Sequence, residues 1–277
     1  MTIGIIGLGL IGGSLAKAFK HSEKVTVLGL DKNSATTKIA EMSDFIDGSV
    51  ENRLSECDFV FIAVDANSTV DFVKENAQNF KKDAIVIDCC GVKTAVCEPC
   101  FKIAKEHGFN FVGGHPMAGT QFSGLKHSKY DMFYGANMVL VPRKDEDVSL
   151  LAKLKDVLTI AGFQSVSVTT AEKHDEIIAF TSQLAHVVSN AYVKSPNAKV
   201  HQGFSAGSYK DLTRVAWLNE NMWATLFLQN KENISFEIEH LIEELKKYNE
   251  AIKAGDFERL KQLLKDGREC KERCDKH

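Results

Sequence analysis

The first twelve residues, MTIGIIGLGLIG, limit the fold more than any other stretch of the chain. An apolar run, TIGIIG (2–7), leads into glycines at 7, 9 and 12 in G-x-G-x-x-G register, and an amphipathic segment follows. The spacing predicts a strand, a tight turn and a helix. Gly7 permits the turn, Gly9 lets the backbone approach a pyrophosphate, and Gly12 lets helix and strand pack closely. The backbone of Leu8, Leu10 and Ile11 lines the same turn, and the free N–H groups opening the helix face the phosphates. Asp31 closes the next apolar run. A carboxylate there accepts hydrogen bonds from the adenosine ribose and repels a 2′-phosphate. The expected cofactor is therefore NAD, with Lys32 beside Asp31 leaving room for NADP. A glycine-rich turn without a ligand is the competing reading, and the strand, helix and acid together weigh against it.

Six further apolar runs read as strands: VTVLGL (25–30), DFVFIAV (58–64), AIVIDC (84–89), FNFVGG (109–114), NMVLVP (137–142) and FQSVSV (163–168). Several lack polar alternation, as parallel strands buried on both faces do, and helical segments separate most of them. Val64 and Asp88, near the carboxyl ends of two of these runs, join the residues expected to face the cofactor, with a salt-bridge role for Asp88 and Lys93 the equal alternative. Beyond residue 169 the pattern is helical, over 171–193 and roughly 206–230, 232–253 and 256–275. The fold class expected is α/β: a Rossmann-type dinucleotide-binding domain over 1–168, then an all-helical domain over 169–277 for substrate binding and dimerisation. The last two helices carry apolar stripes (Ile234, Ile238, Leu241, Leu245; Leu260, Leu263, Leu264) that need a cover.

Composition narrows the partners. At 44% hydrophobic and 26% charged residues the chain reads as globular. A net charge of −3 gives no electrostatic reason to expect nucleic acid or an anionic membrane. No apolar run reaches membrane-spanning length. Seven cysteines without a secretory pattern suggest reduced thiols in the cytoplasm. Cys97 and Cys100 form a C-x-x-C with no second pair at zinc-site spacing, so no metal is expected.

GGHPMAG (113–119) carries the candidate chemistry. It follows a strand of the presumed parallel sheet, and ligands in such sheets bind beyond the carboxyl ends of the strands. Gly113, Gly114 and Gly119 are expected to bend the backbone sharply and to admit a ligand closely, and Pro116 to restrict it. His115 would then face the nicotinamide cleft, where it suits removal of a hydroxyl proton. The bland alternative is a histidine satisfied within a turn.

GLGLIGGSLA, DCCGVK, GGHPMAG, HDEIIAFTSQLAH and SYKDLTRVA occur in an order and spacing that resemble the prephenate/arogenate dehydrogenases of tyrosine biosynthesis, from residue 3 to about 230. The resemblance implies NAD-dependent oxidative decarboxylation of prephenate to 4-hydroxyphenylpyruvate, with His115 taking the proton of the 4-hydroxyl. It implies a substrate pocket that includes Arg214, Lys210, His186, Trp223 and Gln121, and a homodimer through the C-terminal helices. Two positions depart from the family pattern: Gly91 stands where a serine is usual, and Gln121 where some members carry an acid. Three alternatives stay open. They are arogenate as substrate, a β-hydroxyacid-type dehydrogenase, which would place a catalytic lysine in the helical region, and a dinucleotide sensor without turnover.

Overall fold

A computed structural model of the chain describes residues 1–22, 25–144 and 148–275. The first half alternates strands and helices: β1 (Thr2–Ile6), α1 (Leu10–His21), β2 (Thr26–Leu30), α2 (Ser34–Met42), β3 (Gly48–Ser49), β4 (Phe59–Ile62), α3 (Ala66–Asn76), β5 (Ile85–Asp88), α4 (Thr94–His107), β6 (Asn110–Pro116), β7 (Asn137–Val141), α5 (Val148–Ile160) and β8 (Ser165–Val168). They build one eight-stranded sheet in the order β3-β2-β1-β4-β5-β6-β7-β8. The chain runs outward from β1 through β2 to β3, then crosses back to β4 on the other side of β1. That switch point opens a crevice at the carboxyl ends of the strands.

Successive side chains on the central strands enter two separate cores, as the two-residue period of a strand requires. Ile3, Ile5, Phe59, Phe61, Ile85 and Ile87 pack with residues of α1, α2 and α5. Ile6, Val60, Ile62 and Val86 pack with residues of α3 and α4. Double-sided burial explains why these runs lack polar alternation.

Two expectations need correction here. The sheet is not wholly parallel, because β7 pairs antiparallel with β6. The segment between them, residues 117–136, holds a short 3-10 turn, Leu125–His127, and no α-helix of the kind that usually carries a parallel return. The two-residue strand β3 also had no visible apolar run of its own.

The second half is helical, and no helix among the described residues is long and apolar enough to cross a membrane. Helix α6 (Ala171–Ile178) runs through a π-helical turn, Ala179–Leu184, into α7 (Ala185–Tyr192). The single helix expected over 206–230 is instead two. Helix α8 (Gly207–Thr213) passes into a 3-10 turn at Arg214–Ala216, and α9 (Glu220–Gln229) starts afresh. The cause of the restart is local: the Asn219 side chain accepts from Met222 N and caps α9. Helices α10 (Lys231–Ala254) and α11 (Phe257–Cys274) fold back on each other across Gly255, which is left-handed at φ 64°, and Asp256, which caps α11. Ile234 is buried, but Phe236, Leu245, Ile252, Phe257 and Leu264 are exposed. Residues 276–277, the end of the expected helical domain, lie outside the described residues.

Gly12 shows how tightly α1 lies on β1. A Cβ there would stand 1.8 Å from Gly7 O. Gly12→Ala is therefore expected to lower the unfolding free energy by about 1–3 kcal/mol or more, because backbone must move to admit the methyl group. Urea denaturation of the two proteins measures it, and an unchanged midpoint would contradict the packing described.

Candidate active site

The glycine turn has the form that a dinucleotide needs. Gly7 sits at φ +85°, and a side chain there would run into Val64 and Ala63. A side chain on Gly9 would meet nothing within 4 Å, which leaves open space beside the turn. Gly9 also caps α1 without a side-chain bond, so the first N–H groups of the helix, beginning at Leu10 and Ile11, keep their donors for an anion. Asp31 ties this turn together. Its Oδ2 accepts from Leu8 N at 2.9 Å and its Oδ1 from Asn33 N at 2.9 Å. Val64 packs over Gly7. These residues fit a dinucleotide.

Asp88 takes the second of its two expected roles, a salt bridge, and does not face the cofactor turn. Its side chain is fully buried, as is that of Lys93, and the two form an ion pair. Asp88 Oδ1 accepts from Gly114 N at 3.1 Å and Oδ2 from Cys90 N at 2.9 Å, while Lys93 Nζ also donates to Gly114 O at 2.6 Å. Burial alone would pull the Lys93 ammonium down. The Asp88 charge and hydrogen bond, together with the neighbouring Cys90 and Cys97, outweigh that and hold it above its ordinary range. The pair clamps β6 from behind, one residue before His115.

The glycines of GGHP are likewise not a bend. Gly113 and Gly114 are regular strand residues in β6. They are small because their surroundings are close: a Cβ on Gly114 would lie 2.4 Å from Asp88 O, and one on Gly113 2.5 Å from Cys97 Sγ. The C-x-x-C cysteines thus belong to the packing behind the strand, and burial pushes both thiols up, away from the reactive thiolate form.

His115 emerges at the carboxyl end of β6, partly exposed. Its Nδ1 lies 2.9 Å from His174 Nε2, and His174 Nδ1 lies 2.8 Å from Asp175 Oδ1. Asp175 also accepts from Lys93 N at 2.7 Å and Thr94 N at 2.9 Å. His174 and Asp175 are both buried. Burial would raise the Asp175 carboxyl, but the bonds from His174, Thr94 and Lys93 hold it below its ordinary range. Burial lowers the His115 imidazole well below its ordinary value, and the His174 ring and Lys93 charge push in the same direction. A neutral ring with one nitrogen committed to His174 leaves Nε2 toward the cleft. There a Cβ at Gly91 would be 4.0 Å from Nε2 and 3.3 Å from Leu226. Cys90 does not stand in for a hydroxyl at position 91: its thiol is engaged with Thr69 Oγ1 and Val64 O.

A second cluster lies on the helical half. His186 stacks on Trp223 with ring centroids 3.8 Å apart, and its Nδ1 donates to Ser182 O. Burial lowers the His186 imidazole, and the Arg214 charge adds to the effect, so the guanidinium acts on this ring. Trp223 and Leu226 both belong to α9, which therefore joins the His186 cluster to the Gly91–His115 corner. Lys210 and Gln121 are exposed, and among the described residues no hydrogen bond or ring contact joins either to the histidines.

His174, Asp175, Leu226, Asn230 and Gln183 were not singled out from sequence. Asn230 Nδ2 donates to Asp175 O and to Gln183 Oε1, bracing the turn that carries His174 and Asp175. A signal existed: His174 and Asp175 precede Ile178 by four and three residues, so both share its apolar helix face. A charged residue on such a face requires a partner.

The profile described as "Prephenate dehydrogenase, nucleotide-binding domain" matches residues 15–167, and that described as "Prephenate dehydrogenase, dimerization domain" matches residues 170–266. The chain belongs to the prephenate dehydrogenase family. It is 29% identical to a cyclohexadienyl dehydrogenase of Zymomonas mobilis, over 97% of this chain and 94% of the relative. Among solved structures it resembles a prephenate dehydrogenase of A. aeolicus in complex with hydroxyphenyl propionate and NAD+ (30% identity, TM-score 0.85, 99% and 98% of the two chains). It also resembles an arogenate dehydrogenase of Synechocystis (25% identity, TM-score 0.83, 99% of each chain).

The position of Asp31 generates a test. Asp31→Ala leaves the Leu8 and Asn33 amides without their acceptor as well as removing the ribose partner. It is expected to weaken NADH binding by about tenfold or more, and to leave NADPH binding no tighter than before. Calorimetric titration with both nucleotides measures this, and a gain in NADPH affinity would show that the turn does not need Asp31.

Proposed function

We propose that the chain catalyses the NAD+-dependent oxidative decarboxylation of prephenate to 4-hydroxyphenylpyruvate, with His115 as its general base. The observation that carries this reading is the committed His115 ring. One nitrogen is held by His174, and the other opens on the corner where the glycine-turn half meets α9. Gly7, Leu8, Gly9, Leu10, Ile11, Gly12, Asp31 and Val64 would hold the cofactor. Bound there, NAD+ supplies the hydride acceptor. His115 Nε2 takes the proton of the 4-hydroxyl as that carbon becomes a carbonyl. The ring carboxylate then leaves as carbon dioxide, its bonding electrons aromatise the ring, and the resulting phenolate recovers the proton from His115. The base is thus regenerated with no net proton released. A base so placed contributes about 10²–10⁴ in rate.

The substrate is a dianion, and Arg214 is the residue we assign to a carboxylate, since its planar fork matches one. His186 and Trp223 form the wall beside it, with Lys210 and Gln121 at the rim. We place the domain boundary between residues 168 and 169. We infer a homodimer, in which a second copy covers the exposed Phe236, Leu245, Ile252 and Phe257. The free state of all seven cysteines suits the cytoplasm.

The direct test is NADH formation and carbon dioxide release with prephenate, run beside arogenate. Tight NADH binding without turnover on either would overturn the reading in favour of a sensor. His115→Asn is expected to lower kcat by about 10²-fold or more while NAD+ affinity stays unchanged. In the unaltered protein, kcat/KM should fall on the acid side through an apparent pKa below the ordinary histidine value, since the depressed pKa keeps the base unprotonated at neutral pH. An acid limb at or above about 6.5 would contradict this assignment. Arg214→Gln is expected to raise KM for prephenate about 10–100-fold, the roughly 1.5–3 kcal/mol of a hydrogen bond to a charged group. An unaltered KM would show that the guanidinium serves another purpose.

A further inference from the structure

We propose that His174 and Asp175 are positioning residues that set the tautomer of His115, so that its free nitrogen is a base only while the helical half is seated on α4. The inference rests on the reading of His115 as the base and adds how that base is prepared.

A carboxylate can only accept hydrogen bonds. Asp175 Oδ1 accepts from Lys93 N and meets His174 Nδ1 at 2.8 Å, and Oδ2 accepts from Thr94 N. His174 Nδ1 must therefore carry a proton. With one proton on each imidazole, His174 Nε2 is a lone pair, and His115 Nδ1, 2.9 Å away, must donate to it. His115 Nε2 is then left bare. The opposite tautomer of His115 would set two lone pairs against each other across 2.9 Å. The order of protons is fixed at Asp175, and Asp175 is fixed by the first N–H groups of a helix in the other half. Asn230 Nδ2 on the Asp175 carbonyl keeps α6 from sliding. His174 is almost wholly buried, so water does not compete for its Nε2.

The experiment uses the full chain with ¹⁵N-labelled histidine, the His115 signals being assigned by their loss in His115→Asn. The wild-type spectrum should show the His115 proton on Nδ1. His174→Phe removes the acceptor. It is expected to mix the two tautomers and to lower kcat about tenfold or more, with NAD+ affinity unchanged. His174→Gln, whose Oε1 reaches the position of the lost Nε2, should recover a large part of kcat and of the Nδ1–H signal. A wild-type His115 protonated on Nε2 would overturn the proposal, as would His174→Phe with full kcat. Should His174→Phe fail to fold, the wild-type spectrum decides alone. The base reading has its own failure: undiminished turnover in His115→Asn removes the base and with it the need for a relay. An inactive His115→Asn beside a fully active His174→Phe removes the relay only.

Discussion

Asp175 capping α4 is the contact on which the rest of the site depends. Helix α4 opens without a side-chain cap of its own, since Lys93 occupies the N-cap position. The N–H groups of Lys93 and Thr94 would be left without acceptors in a largely dry interior. They find one 82 and 81 positions further along the chain. The positive end of the helix dipole and the negative carboxylate reinforce each other. A helix of the nucleotide-binding half is therefore completed by a residue of the helical half. The same carboxylate that completes it also orients His174, so folding and preparation of the site share one group.

Directly beneath lies the Asp88–Lys93 pair. A lone ammonium in that position would be very costly, and the attraction of the pair offsets desolvation only where the remaining donors and acceptors are satisfied. Here they are met by the amide and carbonyl of Gly114 and by the amide of Cys90. The pair thus gains definition for β6, the strand that bears His115. This explains the two glycines before the histidine. Their role is to let the strand approach the ion pair and Cys97, not to provide a flexible corner. Lys93 is used twice, its ammonium on β6 and its backbone amide on Asp175.

Much of this was legible in sequence because it is local. The glycine spacing, the apolar runs and the helical tail each follow from residues within a few positions of one another, and the strands lie within about three residues of where the runs place them. The antiparallel turn at β7 was not legible, since it depends on the absence of a crossover rather than on β7 itself. Gly113 and Gly114 were assigned the wrong physical role, because a glycine kept small by a neighbour looks the same in sequence as one kept for its backbone freedom. For Asp88 the sequence left two roles open, at the cofactor by its strand position or in a salt bridge with Lys93. The buried ammonium five residues on decides for the second. His174 and Asp175 form a site only with residues some 60 to 80 positions away, and no local pattern reports such distances.

The break after α8 shows how the helical half builds its part of the cleft. Arg214 and Trp223 are nine residues apart. At about 100° per residue a continuous helix would turn them to opposite faces. The 3-10 turn at Arg214–Ala216 and the fresh start at Asn219 uncouple the two segments, so that the Arg214 charge and the Trp223 ring both act on His186. Three residues further along the same helix, Leu226 reaches Gly91 beside His115. Residues three apart share a helix face, so one short helix presents an aromatic to one histidine and an aliphatic to the corner of the other. A cap of one asparagine, Asn219, thereby determines whether the two clusters can serve a single ligand.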